Sequence, residues 1–477
     1  MNPLRVSLSI GCLLLISAVG MRAQDHPAAS RTAAQKASGL DPAEPPHPLP
    51  KAKTLPRPSG AIARSSVDEK SMRALIDSMV ACGTRISIGN WDDPKRGPGC
   101  GRDKIVERLN EINKATGGKL QIVVDKYEAT AERTLNKPAP MQNVYAILPG
   151  TDEKMAKTVF IVSGHLDSIP SVSSITDASL DAPGADDDAS GVAVSVESAR
   201  LVSKAAVIGG KGLRATVIFA AVAGEEQGLL GSTHMLEWLK QQGYTVGGML
   251  DDDIVGDDLQ PGAPHRVRLF SGNGEIDDCD GPSRELARAV EEIDGRAAIR
   301  MIFRVDRYGR GGDHYPFFKA GMPAVRFTEP WEDYNHEHQT PRTENGVEYG
   351  DYAKFLNAAF LGNVARDNAE ALRQLALAPL PPKDVHLAGG VTRDAKVSWS
   401  AQDDEARTGF EILWRETTEA RWSVLTFTET AGETVLKDIS TDNHFFAVRA
   451  VGKNGARSIA APSVPAERRS APAPEKK

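Results

Sequence analysis

Two short apolar runs, 158–163 (TVFIVS) and 215–223 (ATVIFAAVA), constrain the fold more than any other feature of this chain. Each is rich in β-branched residues, bounded by glycine and too short for a buried helix, which suits a strand covered on both faces. Between them, residues 189–205 carry apolar side chains at helical spacing, and residues 229–242 do so after the second run. Strands alternating with helices predict an α/β fold with a mostly parallel central sheet flanked by helices. Helical spacing over 67–81 and 102–113 places two more helices ahead of the first strand.

The composition shifts at both ends of this unit. Arg5 precedes an apolar run over 6–21 and then Arg-Ala-Gln, the layout of a secretory signal peptide occupying 1–23. The run is shorter than the roughly 20 residues a membrane span needs, so the expected location is secreted or periplasmic, with no membrane span. Residues 24–65 hold eight prolines and no apolar period, as expected of a disordered linker or pro-segment. The α/β unit then fills 66–377. Beyond Ala378-Pro-Leu-Pro-Pro-Lys383 short alternating strands begin. Phe410, Ile412 and Trp414 share one face, as do Phe446, Val448 and Ala450, with a turn at Asn454-Gly455. This predicts a small β-sandwich over 378–466, followed by a Pro/Ala/charged disordered tail, 467–477. Its Trp399, its Phe410-x-Ile-x-Trp-Arg strand and its Phe446-Ala-Val-Arg-Ala-Val strand resemble a fibronectin type III module. No residue names a partner for it; docking to a polymer or a surface is the accompanying expectation.

With 57 basic and 64 acidic residues the net charge is −7. A nucleic-acid partner is disfavoured, because displacing phosphate counterions needs clustered Lys and Arg. Most of the acids are expected on solvated surface; only their spacing singles some out. Cys82 and Cys100 flank a loop rich in Gly, Pro and Asp and are expected to pair in an exported chain. Cys12 lies in the leader and Cys279 is expected to be unpaired. None of Cys82, Cys100 and Cys279 has a histidine at ligand spacing, which argues against a thiolate metal site or a cysteine nucleophile.

Acidic clusters and histidines fall where strands are predicted to end, the place where open parallel sheets bind ligands. The first is Ser163-Gly-His165-Leu-Asp167, an imidazole suited to a metal with a carboxylate two residues on to hold its other ring nitrogen. Next comes Asp186-Asp187-Asp188 ahead of a helix: one or two acids there serve as caps, whereas three repel one another unless a cation intervenes. Glu225-Glu226 follows the second apolar run directly, and adjacent side chains diverge, so one suits a ligand and the other a general base. Asp251-Asp252-Asp253 ends 27 residues after Glu226, and Asp333-Tyr-Asn-His336-Glu-His338 supplies further imidazoles. Oxygen and nitrogen donors without thiolate suit catalytic zinc.

Together these motifs resemble the secreted di-zinc aminopeptidases, the bacterial leucyl aminopeptidase and aminopeptidase-Y-like zinc exopeptidases, over residues 67–375. The resemblance implies a zinc exopeptidase fold and two Zn²⁺ ions per chain. It assigns His165 and Asp253 to one ion, Glu226 and His338 to the other, and Asp187 between them. Glu225 becomes the general base, Asp167 the residue that orients His165, and a cis peptide bond is expected after Asp187. Peptides are the implied substrates and removal of N-terminal amino acids the implied activity. A carboxypeptidase and a glutaminyl cyclase on the same fold remain as rivals, with Arg307, Arg310 and Arg326 leaving a carboxylate pocket open. An inactive exported binding protein is the rival from another class. His314 is as well explained by packing as by catalysis, and Tyr308 or Tyr334 is a candidate to steady an oxyanion. His234, His265, His386 and His444 have no ligand context.

Overall fold

The computed structural model describes residues 57–466 except 209, 211, 275–279, 296 and 391. The leader over 1–23, most of the proline-rich stretch, the tail, Cys12 and Cys279 lie outside the described residues.

An eight-stranded sheet consists of β1 (Gln121–Ala129), β2 (Ala139–Leu148), β3 (Thr158–His165), β4 (Thr216–Val222), β5 (Thr245–Asp252), β6 (Val267–Phe270), β7 (Ile299–Ile302) and β8 (Ala324–Thr328). Their spatial order is β1-β2-β4-β3-β5-β8-β6-β7. The central four, β4, β3, β5 and β8, run parallel, while β1–β2, β2–β4 and β6–β8 are antiparallel pairs. The two apolar runs are therefore neighbours at the middle of the sheet. Phe160, Val162, Val217 and Phe219 face one core with helices α3 (Ala189–Ile208) and α7 (Ala358–Leu377). Val159, Ile161, Ile218 and Ala220 face the other with Met235, Leu236 and Leu239 of α4 (Leu230–Gln241). Burial on both faces is why neither strand alternates with polar residues.

Ahead of the sheet stand α1 (Glu69–Val80), capped by the Asp68 carboxylate on Ser71 N at 3.0 Å, and α2 (Gly97–Ala115). The second helix starts five residues before the spacing over 102–113 predicts, since Pro98 in its first turn is compatible with a helix start and carries no apolar period. A Cys82–Cys100 disulfide joins the end of α1 to the first turn of α2. Residues 57–65, grouped with the linker by composition, run along α7: Glu370 accepts Ile62 N at 3.0 Å and Arg64 donates to Ala359 O at 2.9 Å. Polar anchors of this kind leave no apolar period in the sequence. The remaining helices are α5 (Pro282–Asp294) and α6 (His314–Lys319), and a hairpin pairs β9 (Arg342–Glu344) with β10 (Val347–Tyr349).

The last strands are β11 (Lys383–Ala388), β12 (Ala395–Ser400), β13 (Arg407–Glu416), β14 (Ser423–Thr428), β15 (Gly432–Leu436), β16 (His444–Gly452), β17 (Ala461–Pro462) and β18 (Val464–Pro465). They form two four-stranded sheets, β15-β12-β11-β18 and β14-β13-β16-β17. Phe410, Ile412 and Trp414 lie opposite Ala450, Val448 and Phe446 and, with Trp399 and Leu425, make a separate core. The sandwich is held to α5 and its N-terminal flank by polar contacts. Asp280 pairs with Arg415 at 2.6 Å, Glu285 accepts Trp422 Nε1 at 2.6 Å, Glu291 accepts Arg421 Nε at 2.7 Å and Glu292 pairs with Arg449 at 2.5 Å. Among the described residues no helix is long and apolar enough to cross a membrane.

Candidate active site

His165 is the last residue of β3. Its Nε2 lies 3.0 Å from Asp187 Oδ1 and 3.8 Å from Asp253 Oδ1. Its Nδ1 is 3.1 Å from the Asp167 main-chain carbonyl, while the Asp167 carboxylate stands 3.6 Å away. That carboxylate accepts the N–H of Glu226 at 3.2 Å and of Glu225 at 3.4 Å. Asp167 therefore holds the ring chiefly through its backbone, and its side chain braces the paired glutamates.

The three adjacent acids before α3 divide their work. Asp188 accepts Gly191 N at 2.7 Å, as a capping residue does, and also His165 N at 2.8 Å. Asp186 turns away to Gly256 N at 2.7 Å. Asp187 alone faces the histidines, and the bond after it, Asp187–Asp188, is cis. Glycine is required at 191, where a Cβ would sit 2.0 Å from the Asp252 carbonyl: the start of α3 is pressed against the end of β5.

The second acidic triplet divides in the same way. Asp251 takes His314 Nδ1 at 3.0 Å, Asp252 takes the Asn368 amide at 2.9 Å, and Asp253 points to His165 while pairing with Arg326 at 2.8 Å. Of the late histidines, His338 joins the cluster, its Nε2 2.8 Å from Asp187 Oδ2 and 2.9 Å from Glu226 Oε1. His336 stacks on Phe355 with ring centroids 3.7 Å apart. His314 is buried with its Nε2 2.9 Å from Val305 O, so protein partners engage both its nitrogens. His234 contacts Asp125, His265 contacts Asp258 and His444 contacts the Ser440 carbonyl.

The electrostatics follow from burial. Desolvation pushes Glu225 well above the usual carboxylate range, against the pull of His165 and with Glu226 and Asp253 adding to the rise. Glu226 is raised by burial too, with His338 opposing. Burial also disfavours the Asp187 anion, but His338 and His165 outweigh it and hold its carboxyl well below the ordinary range. Burial lowers His338, yet Glu226 and Asp187 carry it up to about 12. In each His-centred group every residue offers an oxygen or imidazole nitrogen within 4.8 Å of the others: His165 with Asp187 and Asp253, His338 with Asp187 and Glu226, and His165 with Glu225 and Glu226. Such a borderline-hard set, with no thiolate, fits zinc.

The cluster forms the floor of a cleft of about 820 Å³, with Arg133, Val172, Leu229, Arg310 and Tyr334 among the residues on its walls. Arg133 donates to the Glu226 carbonyl at 2.7 Å. Arg307 and Arg310 are drawn onto Glu332 at 2.7 and 2.6 Å, and Arg326 lies between Asp253 and Asp306. Sequence reasoning missed Arg133, Glu332 and Asp351, whose carboxylate accepts the N–H groups of Asp186 and Asp187 at 2.8 Å. Arg326, considered from the sequence for a carboxylate pocket, instead sits as a charge in the middle of the apolar strand Ala324–Thr328.

Comparison with known proteins agrees with this chemistry. The profile of Peptidase family M28 matches residues 143–360. A "Probable zinc metalloprotease" of Leptosphaeria maculans is 35% identical over 416 residues, covering 83% of this chain and 94% of the relative. One of the same description from Pyricularia oryzae is 35% identical over 434 residues, covering 85% and 84%. Among solved structures, the LapA aminopeptidase of Legionella pneumophila is 17% identical, covering 68% of this chain and 78% of that one with a TM-score of 0.49. A zinc-type donor set at the ends of parallel strands, with relatives matched along nearly their whole length, places the chain in peptidase family M28, among its zinc metalloproteases.

Proposed function

We propose that the protein is an exported aminopeptidase that removes N-terminal residues from peptides with the help of two zinc ions. His165 and Asp253 would hold one ion, Glu226 and His338 the other, with Asp187 shared. The observation that carries this is the division of Asp187: Oδ1 faces one histidine, Oδ2 faces the other, and each histidine has an outer acid of its own. When bound, zinc polarises the scissile carbonyl and makes water more acidic. Glu225, half-buried beside the cluster and raised by the desolvation there, takes the proton from the attacking water and returns it to the leaving amine. Asp167 keeps Glu225 and Glu226 on their separate headings by accepting both backbone N–H groups.

Two features favour the amino end over the carboxyl end. Arg307, Arg310 and Arg326 are each engaged by carboxylates of the protein, and the Arg133 guanidinium on the cleft wall donates to the Glu226 carbonyl, whereas a terminal carboxylate would need a cation to receive it. Beyond the carboxylates assigned to metal and base, Glu337 lines the cleft and offers a carboxylate to an α-ammonium group. The apolar leader and the Cys82–Cys100 bond support export. The strand pattern and the Trp399 core support a fibronectin type III-like reading of the sandwich.

The test is a peptide panel run as free amines and as N-acetylated copies, with and without a chelator. Release of amino acids from free amines alone, lost on chelation, is the expected result. Cleavage of acetylated peptides from the carboxyl end, or pyroglutamate formation as the sole product from N-terminal Gln, would sink the proposal.

A further inference from the structure

Arg85 and Arg326 are the largest side chains with no solvent exposure among the described residues. Arg326 has carboxylate partners at 2.8 and 3.2 Å; the Arg85 guanidinium bonds to main-chain carbonyls. Burying a guanidinium is costly unless its N–H groups all find acceptors, so the identity of those acceptors is informative. Nε donates to Leu166 O at 2.8 Å, Nη1 to Pro183 O at 2.7 Å and to Met79 O at 3.3 Å, and Nη2 to Gly184 O at 2.7 Å. Leu166 sits between His165 and Asp167, and Gly184 stands two residues before Asp186. One planar group thus spans the two segments that carry the first histidine and the shared aspartate.

The main chain closes the same join. Arg85 N donates to Ser168 Oγ at 3.1 Å, which donates in turn to Ala182 O at 2.9 Å. Thr84 Oγ1 donates to Leu180 O at 2.5 Å and accepts Ala182 N at 2.9 Å. The approach is tight enough to dictate glycine. At Gly184, where φ is +56°, a Cβ would fall 2.4 Å from Ser168 Cβ and 2.8 Å from Arg85 Nη2. At Gly101, next to the bridged Cys100, a Cβ would fall 2.9 Å from Arg85 Cδ. Burial lowers the Arg85 pKa to about 10, with Asp351, Asp167, Asp188 and Asp187 opposing, so the group stays cationic at neutral pH behind the acidic cluster.

We propose that Arg85 is a positioning residue for the metal centre: its guanidinium fastens the 165–168 segment to the 182–188 loop and so sets His165 against Asp187. This rests on the metal reading above but not on which peptides are cleaved. A lysine cannot take its place, because a single ammonium lacks the planar fork that reaches carbonyls on both segments.

The experiment compares full-length wild type, R85K, R85M and R214M. Arg214 is a partly buried arginine that pairs with Asp152 and Asp404 ahead of β4, at the opposite end of that strand from Glu225. Zinc affinity is read by chelator competition, stability by Tm, and turnover as separate kcat and KM. R85K and R85M are expected to weaken zinc binding by roughly 10- to 100-fold and to lower kcat more than they raise KM. R214M is expected to lower Tm while keeping wild-type zinc affinity. If R85M does not fold, G184A keeps the guanidinium, crowds Nη2, and should weaken zinc binding in the same way. Wild-type zinc affinity and kcat in R85K, or in R85M with only a lower Tm, would overturn the proposal. A wild-type chain that binds no zinc would overturn the metal reading together with it, a result distinct from failure of Arg85 alone.

Discussion

Two concentrations of acid in this molecule differ in what faces them. Along α5 and its N-terminal flank, Asp280, Glu285, Glu291 and Glu292 meet guanidinium groups from Arg288, Arg415, Arg421 and Arg449. At the ends of β3, β4 and β5, the acids Asp187, Glu225 and Glu226 meet imidazoles and one another, with Arg326 on Asp253 as the guanidinium in direct contact. The contrast is clearest in one carboxyl group from each region, since burial still raises Glu285 beside Arg288 and the histidines hold Asp187 low. Burial pushes Asp280 up, but Arg288, Arg415 and Arg284 outweigh it and hold it below the ordinary range. Burial pushes Glu225 up, and His165 does not bring it back. Acids matched by arginine act as glue between two parts of the chain. Acids left unmatched in a cleft are poised for a cation and for proton transfer.

Exchanging the two behaviours is the way to break this contrast. The largest effect belongs to Glu225→Gln, which should lower kcat by roughly 10²- to 10⁴-fold with zinc content unchanged, measured by steady-state kinetics and metal analysis. In the metal-free protein the same change should leave Tm equal or higher, because it replaces a half-buried carboxyl whose charged form is disfavoured and which has no arginine partner among the described residues; a large drop in Tm would place Glu225 with the structural acids instead. Asp280→Asn should do the reverse. It removes the charge and one of the two acceptor oxygens that Arg284, Arg288 and Arg415 face and should cost about 3 kcal/mol in denaturant unfolding while kcat holds at the wild-type value.

The pH response sharpens the same point. Because the folded pKa of Asp280 is depressed, its stabilisation is present above the unfolded carboxylate value, about 3.9, and is lost as pH falls through the folded one. The acid limb of the stability curve should therefore flatten in Asp280→Asn. The smallest effect is expected for Arg421→Met, whose side chain is 37% exposed: at most about 1 kcal/mol, shrinking further with added salt.

Much of the architecture was legible from local pattern. The runs at 158–163 and 215–223 became the neighbouring strands β3 and β4, and the helical spacing over 189–205 and 229–242 became α3 and α4. Regular elements leave a period in the sequence because one face, or both, must be apolar. Residues 57–65 and the early start of α2 left no such trace, since polar anchors and a proline hold them. The grip of α5 on the sandwich was equally silent: its arginines and glutamates look like any solvated charged face until the partner surface is in place.

The site divides along the same line. The amino-acid sequence alone determined that acid clusters and histidines stand at strand ends, that oxygen and nitrogen donors outnumber sulfur, and that a zinc-type chemistry suits them. Residue type alone leaves the three acids of each triplet equivalent; the family resemblance named Asp187 and Asp253, and the tertiary structure shows which acids face the histidines. Asp188 is consumed by capping α3, Asp186 by Gly256 N, Asp251 by His314 and Asp252 by Asn368, which leaves Asp187 and Asp253 for the cluster. His338 is set apart from His336 by a stacked Phe355, and Arg85 gains its place from carbonyls about 80 and 100 residues away. Adjacent residues of one type are chemically equivalent in a sequence. They become different only when the fold supplies each with its own neighbours, because a carboxylate's role depends on which donors reach it and how much water it has lost.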